Sequence, residues 1–271
     1  MLFADPQLAA RIERAESDAA ASLVATIRRL DPAAEAEVME VAGGRAVFLA
    51  PNMPVNRAIG LGMDQPVGAE AIDAVEAFYR RHACSPRIDL CPLADRSLVD
   101  ALGPRGYAIS RVFNAYVRGI GPAEPVTPVP DVTVAEAGPD DAEDWAQAVT
   151  QGFLGRDAVA EDDPALLLSR LTIVRPGVRA FLARIGGVPV GGAAMDLHDG
   201  LAVLYSASTR LGFRTRGVHR ALLGARLAAA AAAGADHACL IGPPGSRTER
   251  AAGELGFRHA YTRMVMVREW R

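Results

Sequence analysis

The sequence predicts an α/β protein built from two halves of like design, and three observations lead there. Apolar residues switch repeatedly between helical and strand spacing along the chain. A proline-rich stretch, GIGPAEPVTPVP at 119–130, can sustain neither a helix nor a central strand. Much the same order of helix, strands, helix, strand, helix, strand is read on either side of it. With 271 residues the chain exceeds the roughly 100–200 of an ordinary domain. The halves are therefore drawn as 1–120 and 131–271, with a linker at 121–130.

In the first half, 6–30 carries apolar residues at helical intervals with little Gly or Pro, a long amphipathic helix. Residues 37–41, 45–50 and 57–62 are short, apolar and separated by Gly or Pro, and read as strands. A helix at 69–82, a strand at 87–91, a helix at 94–102 and a strand at 107–118 follow. In the second half, 131–137 is a strand. Pro139 and Asp140 open a helix that aligns Trp145, Val149 and Phe153, and 164–172 is a second helix. Strands at 180–185 and 188–197 flank Gly186 and Gly187, a two-residue hairpin turn, and another strand spans 201–209. The last elements are a helix at 217–233 ended by Gly234, a strand at 236–241, a helix at 246–255 and a strand at 257–268. Leu102, Gly103 and Tyr107 echo Leu255, Gly256 and Phe257 at the two last helix-to-strand junctions.

Composition narrows the function. Half the residues are hydrophobic and 23% are charged, as expected of a chain that buries a core. A net charge of −3 gives no field that would gather nucleic acid or an anionic membrane, so neither is expected as a partner. Every basic residue is Arg, which reads as coding bias except where placement gives it a role. Cys84, Cys91 and Cys239 lack metal-ligand spacing; reduced thiols, no metal and a cytoplasmic location are expected. Residues 1–10 do not read as a signal peptide, and the Ala-rich run at 227–233 is too short to span a bilayer.

The chemistry concentrates in SASTRLGFRTRGVHR, residues 206–220, which leads into the helix at 217–233. A helix start leaves several amides without acceptors, and its dipole favours negative charge. Gly217 allows close backbone approach, and Arg214, Arg216 and Arg220 add charge-assisted contacts, so the segment has the makings of an anion cradle. Here the sequence resembles the GNAT (GCN5-related N-acetyltransferase) superfamily, whose acyl-CoA loop reads Gln/Arg-x-x-Gly-x-Gly/Ala. Arg214, Thr215, Arg216, Gly217 and Val218 fit the pattern, with His219 where Gly or Ala is usual. Leu255, Gly256 and Phe257 match the family's Leu-Gly-Phe ending, and the resemblance covers about 131–268.

The resemblance implies an α/β (α+β) fold of two GNAT-like domains in tandem, each a mixed, mostly antiparallel sheet flanked by helices. It implies acetyl-CoA, or another acyl-CoA, as cofactor. The pyrophosphate would lie on Arg214, Thr215, Arg216, Gly217, Val218, His219 and Arg220, and the pantetheine along the backbone of Ala207, Ser208 and Thr209. The first half has GLGMDQPV at 60–67 with Asp64 and no Arg before its equivalent helix, and is read as a degenerate partner without a cofactor site.

Acyl transfer to an amine needs an unprotonated nucleophile, stabilisation of an oxyanion and, unless the thiolate leaves as such, a proton for sulfur. The tyrosine many family members carry for that last purpose corresponds to Ala252, and a usual Asn to Gly245 or Ser246. Tyr205 is the first substitute as catalytic acid and Tyr261 the second, while Asp196, His198 and Asp199 cluster on the adjoining hairpin. Asp157, Glu161, Asp162 and Asp163 form an acidic segment suited to a cationic amine, or simply a charged surface loop. The expected activity is N-acetyl transfer to a primary amine of a small molecule or peptide. A catalytically silent acyl-CoA-binding or regulatory module stays open as the alternative, and a homodimer is left open.

Overall fold

The computed structural model describes residues 5–270, so residues 1–4 of the N-terminal stretch discussed above lie outside it. The chain forms two compact units. The first holds the described residues up to Tyr116, with Ile241–Gly253 and those from Phe257 on; the second holds Val117–Leu240 and Glu254–Gly256. The units therefore do not follow the boundary drawn from the linker, because the last strand of the sequence folds with the first half.

The first unit begins with α1 (Pro6–Leu30), whose Asp5 side chain accepts from the Leu8 amide at 2.8 Å ahead of a proline in the first turn. β1 (Glu37–Val41) and β2 (Gly44–Phe48) form a hairpin whose turn residues Ala42 and Gly43 both have positive φ. β3 is only Ala58–Ile59, shorter than the expected 57–62, because Gly60 and Gly62 turn into the left-handed region and the Gly62 amide bonds to Ala42 O at 3.1 Å. Then come α2 (Ala69–Arg81), β4 (Arg87–Leu90), α3 (Arg96–Leu102) and β5 (Ala108–Gly119). Ile72, Val75, Phe78 and Tyr79 of α2 pack on Phe48, Ile88 and Leu90 to make the core. The strand order is β1-β2-β3-β4-β11-β5, where β11 is Arg258–Val267, antiparallel to β4 from Met264 opposite Leu90 to Val267 opposite Arg87.

The second unit contains β6 (Thr133–Glu136), α4 (Ala142–Leu154), α5 (Pro164–Ile173), β7 (Arg179–Ile185), β8 (Val188–His198), β9 (Leu201–Thr209), α6 (Val218–Ala232) and the start of β10 (His237–Gly242). Its order is β10-β9-β8-β7-β6. Neighbours are antiparallel except for β9 and β10, just as β3 and β4 are the parallel pair of the first unit. Strand pairing within each unit is thus mixed and mostly antiparallel. A Cβ on Gly192 would strike Val149 and Trp145 of α4, whereas one on Gly191 would meet Val218 of α6, so the two helices cover opposite faces. Trp145 and Val149 are buried as expected, while Phe153 at the end of the same stripe is exposed.

α7 (Arg247–Glu254) precedes the junction echoed between the halves. Phe257 donates to Ala252 O at 2.9 Å across left-handed Gly256, and Tyr107 donates to Leu102 O at 3.5 Å across left-handed Gly106. The structural counterpart of Gly256 is therefore Gly106 rather than Gly103, and Leu102 is the counterpart of Ala252. Among the described residues no helix is long and apolar enough to cross a membrane.

Candidate functional site

β10 runs beside β9 from His237 opposite Leu201 to Leu240 opposite Leu204, and the pairing stops there. Just beyond, Ser206 adopts φ +51° and the register between β8 and β9 shifts between Gly192 and Ala194. This bulge lets β9 continue along β8, with Ser208 opposite Gly192 and Thr209 opposite Gly191, while its other edge parts from β10. α4 lies close over the same stretch. A Cβ on Gly152 would come within 2.6 Å of Ser208 Oγ, and that hydroxyl donates to Val149 O at 2.8 Å. Ala207, Ser208 and Thr209 are thus held by β8 and α4, beyond the last residue of β9 that pairs with β10.

From the end of β9 the chain runs on to the start of α6. Gly217 is its N-cap with φ +78°, and Thr215 has φ +67°. The first backbone bond of the helix runs from Ala221 N to Gly217 O at 3.0 Å. Helix geometry therefore leaves the amides of Val218, His219 and Arg220 without intrahelical acceptors. Glycine is required twice over at 217: the backbone is left-handed, and a Cβ would sit 2.7 Å from Val129 Cγ1.

The three arginines divide in role. Arg214 donates to Gly152 O at 2.9 Å and to Thr209 O at 3.4 Å, bracing the loop to α4 and β9. Arg216 and Arg220 are exposed, with no carboxylate partner among the described residues. His219 is half-buried, and burial, followed by the charge of Arg226, pulls its pKa down to about 4. It stands neutral beside the helix start. Because the folded value lies below the ordinary 6.5, its contribution to stability is present above 6.5 and is lost as pH falls toward 4. Replacing His219 with Gln is expected to flatten the acid side of the stability profile over that window, as read by melting temperature against pH.

Tyr205 points to the α4 side, packed against the cluster of Trp145, Val149 and Leu166. Its hydroxyl donates to Asp196 Oδ1 at 2.8 Å and accepts from Arg175, which is itself ion-paired with Asp196 at 2.5 Å. Burial raises the tyrosine well above its ordinary value. Asp196 feels burial too, but His198, Arg175 and Tyr205 together hold it below the usual carboxylate range. Tyr261, the second expected acid, belongs to the first unit, where it donates to buried Glu13 at 2.6 Å.

Arg226, which sequence reasoning passed over, is 2% exposed. Its guanidinium reaches Leu222 O at 3.2 Å, Ala194 O at 3.2 Å and Tyr205 O at 3.3 Å. Ala194 and Tyr205 are opposite one another at the edge of the bulge. A charged residue in register with Leu222, Leu223 and Ala230 on an otherwise apolar face was the available signal.

The acidic segment is largely neutralised. Asp157 pairs with Arg210 at 3.2 Å, Glu161 with Arg170 at 2.8 Å and Asp163 with Arg156 at 2.7 Å, while Asp163 also caps α5 through the Ala165 amide. This matches the charged-loop reading better than an amine-binding rim. In the first unit, the start of α2 holds its own carboxylate: Glu70 folds so close that a Cβ on Gly68 would be 2.0 Å from it. The Val67 amide there donates to Ser97 Oγ at 2.7 Å.

Compared with protein-family models and with curated protein sequences, the chain matches none. Among solved structures it is similar to a GCN5-related N-acetyltransferase from Kribbella flavida, with TM-score 0.66 and 17% identity over 95% of this chain and 97% of that one. It is similar to another from Sphaerobacter thermophilus, with TM-score 0.61 and 16% identity over 86% and 76% of the two chains. A tandem GNAT protein from the clavulanic acid biosynthesis pathway gives TM-score 0.56 and 16% identity over 82% and 72%. At these identities the likeness is one of fold.

Proposed function

We propose that this chain, which has the fold of the GCN5-related N-acetyltransferases, moves an acetyl group from acetyl-CoA, or a related acyl group, to a primary amine. One observation carries the reading: β9 loses its β10 partner after Leu204, and the edge so exposed leads to a helix opened by left-handed Gly217. An extended amide chain can pair with such an edge as an added strand, and a diphosphate suits the helix start. Free amides at Val218, His219 and Arg220, with Arg216 and Arg220 exposed beside them, fit that anion. Acyl-CoA would supply the activated acyl group; the chain would supply alignment, charge and exclusion of water. The acceptor is proposed to be a small-molecule or peptide amine.

The hydrogen bonds of Tyr205 argue for positioning rather than proton donation, since its O–H is already engaged by Asp196. Tyr205→Phe is expected to change kcat by less than about threefold; a loss of about a hundredfold or more would restore the tyrosine as general acid. The buried alanine at 252 favours the second reading, a silent CoA-binding module. Release of CoA thiol in the presence of an array of primary amines separates the two. Turnover with any amine supports the transferase, whereas tight CoA binding without turnover on any supports the silent module.

A further inference from the structure

We propose that Arg226 is a positioning residue that fixes the β9 bulge and whose buried charge stabilises the departing CoA thiolate, so that the transfer needs no proton donor to sulfur. The inference rests on the acyl-CoA reading above and deepens it. The guanidinium is buried and bonds only to carbonyls, and among the described residues no carboxylate pairs with it. A buried cation with no counter-ion is costly to keep. Its Nη1 bridges Ala194 O and Tyr205 O, the last opposed residues before the register shift, where an ordinary ladder cannot satisfy both strands.

The same placement sets a field. The charge stands behind β9 one residue from Ser206, immediately past the point where the β10 edge becomes free. The charged and titratable groups around it do not cancel it. On α6, His219 is neutral above about pH 4. On β9, Tyr205 keeps its proton. On β8, Asp196 is already paired with Arg175, which follows α5. A negative charge formed beside residues 205–207 would therefore meet a net positive potential through a medium of low dielectric.

In the transfer, the amine lone pair forms the C–N bond and the carbonyl π electrons move onto oxygen. When the carbonyl re-forms, the C–S bond breaks, its electron pair stays on sulfur, and the surplus amine proton passes to water. The sulfur leaves as thiolate. That step ordinarily calls for an acid, and here Ala252 occupies the expected place while the Tyr205 proton is held by Asp196.

The test titrates the thiol of CoA itself, followed by its ultraviolet thiolate absorbance, when free and when bound to the wild type, Arg226→Met and Arg226→Gln. Calorimetry establishes binding for each. The thiol on the wild type is expected to titrate about one pKa unit or more below free CoA. Arg226→Gln, which keeps a donor toward the carbonyls without the charge, and Arg226→Met should both lose that lowering while still binding CoA. A bound thiol that titrates as in free CoA on the wild type, or as in the wild type on Arg226→Met, overturns the inference and leaves the transferase proposal standing. If Arg226→Met fails to fold or to bind, a thiol on Arg226→Gln that titrates as on the wild type overturns it equally. A wild type that binds no CoA removes the transferase proposal and this inference together.

Discussion

Gly217→Glu is expected to abolish the thermal stabilisation that CoA confers on the wild type. A ligand at a hundredfold its Kd stabilises by about 2.7 kcal/mol, several degrees in Tm for a unit of this size. The substitution opposes binding in two ways. Left-handed φ +78° costs an L-residue about 1–2 kcal/mol, and a Cβ 2.7 Å from Val129 Cγ1 forces the turn to move. A carboxylate is also brought to the amides that would receive the diphosphate. Because a negative charge at an N-cap suits the helix dipole, α6 itself should persist, and the lost effect is one of ligand binding. Gly217→Ala, which carries the strain without the charge, should lie between. The quantity to compare is the difference in melting temperature with and without CoA, which removes any change in the unliganded proteins. An undiminished difference in Gly217→Glu would mean that CoA is not held at this helix start.

Helix starts were the most legible part of this chain. Asp5 before Pro6, Asp163 before Pro164 and Gly217 before Val218 each mark a boundary through local chemistry. The Arg- and Gly-rich segment ahead of α6 stood out for the same reason, since its glycine and arginines are neighbours in sequence. What depends on distant partners was not readable. The alternation in 258–267 announces a strand, but nothing local says that it pairs with β4 rather than with its own half. The acids at 157–163 could be read as a rim for a cation or as a charged surface loop, and the pairing of Asp157 with Arg210 and of Glu161 with Arg170, beside the local pair of Asp163 with Arg156, is what the sequence did not show. Arg263 is one arginine among many in the sequence, and only the packing reveals that it is buried beside acids of α1 and β4.

Arg263→Met is expected to have the largest effect on stability, with a pH dependence that identifies its cause. Arg263 on β11 contacts Glu13 at 2.8 Å, Glu16 at 3.3 Å and Asp89 at 3.3 Å, tying the last strand to α1 and β4 inside the first unit. Arg57 reaches Asp89 at 2.9 Å and Glu16 at 3.5 Å, so three carboxylates share two guanidinium groups. Burial already raises the pKa of Glu13, with Arg263 the chief opposing influence. Removing that cation leaves buried negative charge uncompensated, at a cost of about 3–5 kcal/mol, or roughly 10–15 °C in Tm. The sign with pH follows from the raised carboxylate. A folded pKa above the unfolded one favours the fold at low pH, and the advantage disappears as pH rises through the folded value. Arg263→Met pushes that value higher, so its deficit against the wild type should be smaller at pH 5 than at pH 8. Adding Glu13→Gln should recover about half of the loss at pH 8, since one unpaired charge is then gone. A deficit that is the same at both pH values, with no recovery in the double variant, would show that Arg263 acts through packing rather than charge.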